Sequence, residues 1–203
     1  MHRTAARPHR IAQHLDVEAV EDGTVHRVEG VELEMFFVIL AIAGSETTRN
    51  AISQGLLVLL EHPDQLAGLR DAPVLPVVAA EEVIRWSSPV LFFGRTATRD
   101  IELGDARIAA GDRVVLWYPS GNRDERAFAD PFTFDVRRDP NPQVGFGAGG
   151  PHFCLGANLA RREITVMFDE LRTRLPKMRT IGEPAYLQSA FINGIKRQRC
   201  CWS

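Results

Sequence analysis

The chain has 203 residues, with 24 basic and 26 acidic side chains, a formal net charge of -2 and 45% hydrophobic content. These values are ordinary for a globular protein, and the absence of a basic excess gives no reason to expect a nucleic acid partner. The longest apolar run, Met35 to Gly44, is shorter than the roughly 18 residues that a membrane-spanning helix needs, so we expect no membrane span.

The three cysteines are Cys154 and the adjacent pair Cys200 and Cys201, and this spacing cannot form a disulfide framework. Such cysteine usage is typical of a reducing compartment, so the sequence predicts a cytoplasmic protein. Residues 1–15 contain three arginines and no acidic side chain. We interpret them as a frayed basic leader, with an organelle-targeting segment as the alternative.

The hydrophobic pattern predicts helices on both sides of a small sheet. A long apolar helix is predicted over Leu33–Glu61, and a shorter one over Val77–Trp86, between Pro76 and a Ser-Ser-Pro breaker. Residues 90–118 are rich in β-branched and aromatic side chains and predict short antiparallel strands. A long loop follows over 122–150, and a last helix is predicted over 155–175. The expected fold class is α+β, mainly α with a small antiparallel β component.

A glycine-rich loop delivers Cys154 to the start of the last predicted helix. The positive end of a helix favours the thiolate, which is the form of cysteine that binds metal. Glycines allow the backbone to approach a large planar ligand closely, and Phe146 is a candidate to pack against it. A lone cysteine would otherwise be read as a buried, inert residue. A zinc site would need three or four Cys, His or carboxylate ligands, and only His152 lies near Cys154 in the sequence.

A second unusual segment lies within the long apolar helix, where Gly44, Glu46, Thr47 and Thr48 occur together. Glycine and threonine lower helix propensity, and a carboxylate is costly to bury. One interpretation is a tight helix contact through small residues. The other is that the helix tolerates this break because the segment has a function.

The loop over residues 146–156 reads Phe-Gly-Ala-Gly-Gly-Pro-His-Phe-Cys-Leu-Gly and is similar to the cysteine-ligand loop of the cytochrome P450 family. That family's common pattern is Phe-Gly-x-Gly-x-His-x-Cys-x-Gly. The present loop has one more residue before the cysteine, as in certain bacterial lipid-hydroxylating subfamilies. Counted back from Cys154, Gly150 and His152 stand in the expected places, and so does Gly156 after it.

The resemblance implies a heme cofactor, heme b (iron protoporphyrin IX), with Cys154 as the ligand to iron. Glu46 and Thr47 would be the catalytic pair, in a helix locally opened into a groove. Glu82, Arg85 and Arg138 would form a buried structural triad. The implied cofactor-binding residues, with Arg95 and His152 donating to the propionates, are Arg95, Phe146, Gly147, Gly149, His152 and Gly156.

The resemblance covers about Val31 to Arg197 and implies that residues 31–203 are the C-terminal part of a P450 domain, with 1–30 a leader and remnant of a preceding segment. The implied function is a monooxygenase that inserts one atom of dioxygen into an apolar small molecule. We expect this molecule to be a lipid or a sterol. Leu91, Phe92, Phe93 and the segment that begins near residue 190 would line the substrate pocket.

The implied electron donors are a ferredoxin and its reductase, with Arg161 and Arg162 as docking candidates. The alternative function is a truncated, catalytically silent fragment, or a partner-dependent half that does not bind heme productively. The tail over residues 198–203 departs from the family pattern, in which an apolar strand ending is usual.

Overall fold

The computed structural model describes residues 18–21, 23–70, 77–147, 149–174 and 177–202. The predicted basic leader lies outside these residues. Up to Ser45 the chain belongs to one compact unit, and from Glu46 onward it belongs to a second. The boundary between the two units falls inside the long helix.

Helices occur on both sides of the central strands, as the sequence predicts. Within the described residues the helices are α1 (Gly30–Glu61), α2 (Pro63–Arg70), α3 (Val77–Ser87), α4 (Tyr118–Gly121) and α5 (Ala157–Arg174). The step from α1 to α2 occurs at Pro63, because proline lacks the N–H that would continue the first helix and suits the first position of the next. None of the described helices is long and apolar enough to cross a membrane.

The strands pair two by two, and every pair is antiparallel. The pairs are β1 (Glu18–Glu21) with β2 (Thr24–Arg27), β3 (Phe92–Thr96) with β6 (Arg113–Trp117), β4 (Ile101–Leu103) with β5 (Ala106–Ile108), and β7 (Arg179–Tyr186) with β8 (Ile195–Cys201). The prediction of short antiparallel strands over 90–118 and the α+β fold class are confirmed. The first and last hairpins are not predicted from the sequence.

The core of the second unit forms where one face of each of α1, α3 and α5 meets the loop before Cys154. Its buried side chains include Ala51, Val58 and Leu59 of α1; Ala79, Ala80, Val83 and Ile84 of α3; Phe134 and Val136 of the loop; and Ile164 and Phe168 of α5. Burying each large apolar side chain contributes about 1.5–3 kcal/mol, so Phe134 and Val136 help to anchor the loop to the three helices.

In the first unit, the part of α1 between Met35 and Ile42 exposes most of its apolar side chains. Met35, Phe37, Val38, Ile39, Leu40 and Ile42 are all exposed. A helix that is apolar nearly all round normally lies inside a large core. An exposed apolar patch of this kind marks a surface suited to an interface.

Candidate functional site

Cys154 lies in the turn that leads into α5, and its side chain is exposed. Its backbone N–H donates to the carbonyl of Phe146 at 3.0 Å, and the N–H of Phe153 donates to Gly150 at 3.0 Å. Gly147, Gly149 and Gly150 have φ of +87°, +95° and +81°, a region that L side chains rarely adopt. The loop is thus closed on itself by backbone hydrogen bonds and displays one thiol.

Several apolar side chains close to Cys154 in the sequence are exposed. Leu155 is 80% exposed, Leu159 63% and Phe153 44%. In the described part of the chain, no cluster of three or more His, Cys, Asp or Glu could bind a metal ion. A single thiol among exposed apolar side chains fits a metal that brings its other ligands in a large apolar ring, and heme is such a group.

Phe146 is half-buried, and its ring is covered on one side by a cation. The guanidinium carbon of Arg161 lies 4.6 Å from the ring centroid. The same guanidinium forms an ion pair with Glu81, and Gln143 donates to Glu81 at 2.9 Å. Arg161 is engaged in these contacts, whereas Arg162 is exposed.

The structure brings Glu82, Arg85 and Arg138 together beneath the loop. Arg85 donates from Nε and Nη2 to the two carboxylate oxygens of Glu82, at 2.7 Å each. Its remaining N–H groups donate to the carbonyls of Asn122, Pro131 and Thr133, at 2.8, 2.8 and 3.1 Å. All five guanidinium N–H groups therefore have a partner, although both Glu82 and Arg85 are 0% exposed.

The Glu82 carboxylate also accepts from outside helix α3. Arg138 donates to it at 3.2 Å and Asn141 at 3.0 Å. The backbone N–H of Asp135 donates at 2.9 Å. A buried carboxylate is tolerated when charge-assisted hydrogen bonds replace its water shell, and this cluster provides five of them. Sequence reasoning missed Asn141 and Asp135, which no spacing signal marks.

Glu46 and Thr47 lie in an uninterrupted α1, so the local groove that the resemblance implies is not seen. One glycine costs only about 1 kcal/mol in a helix interior, and threonines cost less, so a helix of this length remains continuous. Both side chains are half-buried. Glu46 forms an ion pair with Arg49, one turn along the same helix.

Arg95 lies on β3 and is exposed, with Nη1 donating to the carbonyl of Gly94 at 2.9 Å. Burial raises the pKa of the Tyr118 hydroxyl above its ordinary value, Arg95 opposes this rise, and Cys154 adds to it. His152 is exposed in the cysteine loop.

The proposed pocket-lining aromatics form a cluster with the segment before β8. The ring centroids of Phe92 and Phe93 lie 5.9 and 5.5 Å from that of Phe191. Phe92 also packs on Trp117 at 5.1 Å. The backbone N–H of Leu91 donates to Phe191 at 2.9 Å, which ties the two segments together.

Residues 69–171 match the cytochrome P450 family. A methyl-branched lipid omega-hydroxylase of Mycobacterium tuberculosis is 54% identical over 188 residues, which are 92% of this chain and 44% of that protein. A steroid C26-monooxygenase of Rhodococcus jostii is 47% identical over 180 residues, which are 89% of this chain and 37% of that protein.

Among solved structures, the cytochrome P450 CYP268A2 of Mycobacterium marinum in complex with pseudoionone matches with a TM-score of 0.81 and 44% identity, over 91% of this chain and 44% of that one. A Bacillus megaterium enzyme, CYP109E1, in complex with testosterone matches with a TM-score of 0.81 and 37% identity, over 90% and 50%. The helices, small sheets and cysteine loop define a chain of the P450 fold. The chain belongs to the cytochrome P450 family, and it spans 37–44% of the length of these two relatives.

Proposed function

We propose that the chain carries the heme-binding part of a monooxygenase that inserts one atom of dioxygen into a C–H bond of an apolar substrate. The observation that carries this proposal is the exposed Cys154 thiol, displayed by a closed glycine loop among exposed apolar side chains. Residues 31–203 would be the C-terminal part of the P450 domain, and residues 1–30 would precede it.

In this proposal Cys154 is the protein ligand to the iron of heme b. Its position just before α5, which begins at Ala157, places the sulfur near the positive end of a helix dipole, where a thiolate is favoured. Heme, when bound, supplies the activation of dioxygen. Gly147, Gly149 and Gly156 would let the backbone lie close to the porphyrin, and Phe146 would pack near it.

The propionates would be bound by Arg95 and His152. Both side chains are exposed, and a cation that donates to a carboxylate forms a hydrogen bond about twice as strong as a neutral pair.

Glu46 and Thr47 would move protons toward the reacting oxygen. A carboxylate and a hydroxyl on adjacent residues can pass a proton between a water chain and a dry pocket. Glu46 forms an ion pair with Arg49 in the structure. Movement of the Glu46 carboxylate between this ion pair and the pocket would carry the proton.

The substrate would be an apolar molecule of the lipid or sterol type. The names of the relatives, a methyl-branched lipid omega-hydroxylase and a steroid C26-monooxygenase, support this class. The aromatic cluster of Phe92, Phe93 and Phe191 would offer it an apolar wall. Electrons would arrive singly from a ferredoxin reduced by its reductase, in the cytoplasm, where the cysteines stay reduced.

The testing experiment is a reduced, carbon-monoxide difference spectrum of the chain expressed with heme supplied. We expect a thiolate-type band for the unmodified chain, and none for Cys154→Ser. The matched control is Cys201→Ser, the same substitution in β8, which should leave the band unchanged. An unchanged spectrum in Cys154→Ser would contradict the ligand assignment. Thr47→Ala should bind heme normally and release more peroxide per oxygen consumed.

A second candidate function is a catalytically silent fragment or partner-dependent half. The exposed apolar side chains between Met35 and Ile42 favour it, because such a surface suits an interface or aggregation. A colourless protein that binds the dye ANS and aggregates would support this reading. A red, monomeric protein would support the monooxygenase.

A further inference from the structure

Asn122 lies where helix α4 ends, between the end of α3 and the base of the cysteine loop. It follows α4 directly and is 0% exposed. Its own backbone carbonyl is one of the acceptors for Arg85, at 2.8 Å. A fully buried amide side chain is costly unless its donors and acceptor have partners, so its contacts indicate what this residue does.

The Asn122 side chain links the end of α3 to the base of the cysteine loop. Its Nδ2 donates to the hydroxyl of Ser88 at 2.9 Å. Its Oδ1 accepts from the backbone N–H of Val144 at 2.8 Å. Through these two bonds Asn122 connects Ser88 and Val144, which are 56 positions apart in the chain. The two segments are not paired as neighbouring β-strands, so the connection is made by a side chain.

The backbone conformation of Ser88 indicates that its surroundings hold this part of the chain in place. It is 1% exposed and has φ of +38°, a conformation that costs a serine side chain energy. Its hydroxyl donates to the carbonyl of Arg85 at 3.0 Å while it accepts from Asn122. Strained conformations persist where the surroundings fix them, and the Asn122 amide is one of the groups that fix this one.

From Val144 the constraint passes to the cysteine. The carbonyl of Val144 accepts from Gly147 at 2.8 Å, and the carbonyl of Phe146 accepts from Cys154 at 3.0 Å. Next to Val144, a Cβ on Gly145 would lie 2.8 Å from Cγ2 of Ile84, so the loop base packs tightly on α3. The first hydrogen bond in this series is the one that Asn122 accepts.

We propose that Asn122 is a positioning residue that fixes the base of the cysteine loop against the end of α3, and so sets where Cys154 is displayed. The inference concerns the loop itself, and it bears on catalysis through the proposed function of Cys154 as a metal ligand. The acceptor Oδ1 is the decisive atom, because it is the partner of the Val144 amide.

The test is site-resolved hydrogen exchange on the full chain without added heme. Asn122→Leu keeps the side-chain volume and removes both polar contacts. We expect the amides of Val144, Gly147 and Cys154 to exchange on the order of tenfold faster, relative to amides in the middle of α5, because an unpaired buried donor opens easily. Asn122→Asp retains an oxygen toward Val144 and should restore the protection of these three amides to within about threefold.

A matched control separates positioning from general stability. Ile164→Ala removes a core side chain of α5 that is 1% exposed and should speed exchange without selecting the loop. If Asn122→Leu does not fold, Asn122→Ser, whose hydroxyl is too short to reach Val144, replaces it in the same comparison. The proposal is overturned if the loop amides show no excess over α5 amides, or if the Asp variant loosens the loop as much as Leu.

The carbon-monoxide spectrum distinguishes this inference from the proposed function. An exchange pattern as expected, in a chain without a thiolate-type band, would support the role of Asn122 and contradict the function. In a chain that has the band, Asn122→Leu should weaken it and Asn122→Asp should retain it.

Discussion

Replacing Arg85 by methionine tests the buried network most directly. Methionine has a similar length and no donor, so it removes all five hydrogen bonds that Arg85 makes. Glu82 stays fully buried and loses its principal cation. The carbonyls of Asn122 and Pro131 lose the donor that the guanidinium supplied, whereas Thr133 still accepts from Arg138 at 2.8 Å.

The magnitude follows from these losses. Breaking a buried ion pair by removing one partner costs about 3–5 kcal/mol. The lower half of that range applies to the pair, because Arg138, Asn141 and Asp135 still donate to Glu82. Two carbonyls without a side-chain donor add about 1 kcal/mol in total. We therefore expect a loss of about 4 kcal/mol in the free energy of unfolding, a large part of the roughly 5–15 kcal/mol typical of a domain.

Urea unfolding followed by far-ultraviolet circular dichroism measures this loss. The control is Arg107→Met, the same change at an exposed ion pair with Asp100, which should leave the midpoint nearly unchanged. The double variant Glu82→Leu/Arg85→Met should be less destabilised than the sum of the single variants. Each single variant leaves one buried charge without its partner, whereas the double variant removes both charges. A loss below about 1 kcal/mol for Arg85→Met, or strict additivity, would refute this reasoning.

Three further predictions follow. Gly145→Ala places a methyl group 2.8 Å from Cγ2 of Ile84 and should cost about 1–3 kcal/mol in urea unfolding. Burial raises the pKa of Tyr118 in the folded chain. The protonated hydroxyl therefore contributes stability below the ordinary tyrosine pKa, and this stability is lost as the pH rises from that value through the raised pKa. Tyr118→Phe should flatten that alkaline decline in thermal melts. The Arg126 side chain and N–H lower the pKa of Asp124 to about 2, so Asp124→Asn should reduce the stability lost on acidification from pH 4 to pH 2.

The elements that the sequence predicts well are those with a clear start or stop signal. Helix α3 is predicted over Val77–Trp86 and observed over Val77–Ser87, because a proline precedes it and a Ser-Ser-Pro step ends it. The hairpin of β7 and β8 is missed because Gly182 and Pro184 interrupt its first strand, and both normally argue against a strand. The pairing register shifts between Ile181 and Ala185, which accommodates them in an irregularity.

The site is predicted unevenly for a physical reason. Cys154 and its glycines form one local pattern that can be read along the chain. The Glu82–Arg85 pair has helical spacing, but its burial and its third member, Arg138, follow only from the family resemblance. Asn122 and Glu81 escape sequence reasoning, because their partners lie 22 to 80 positions away and nothing in their neighbourhoods marks them.

The hydrogen bonds of Arg85 also bear on how the long loop between α4 and α5 unfolds. No helix or strand is present among the described residues 122–147, and much of the loop is anchored by side chains that depend on α3. Arg85 alone reaches carbonyls 37, 46 and 48 positions away. The loop therefore has no independent cooperative unit. Its amides should lose protection together with those of α3, in one sub-global opening.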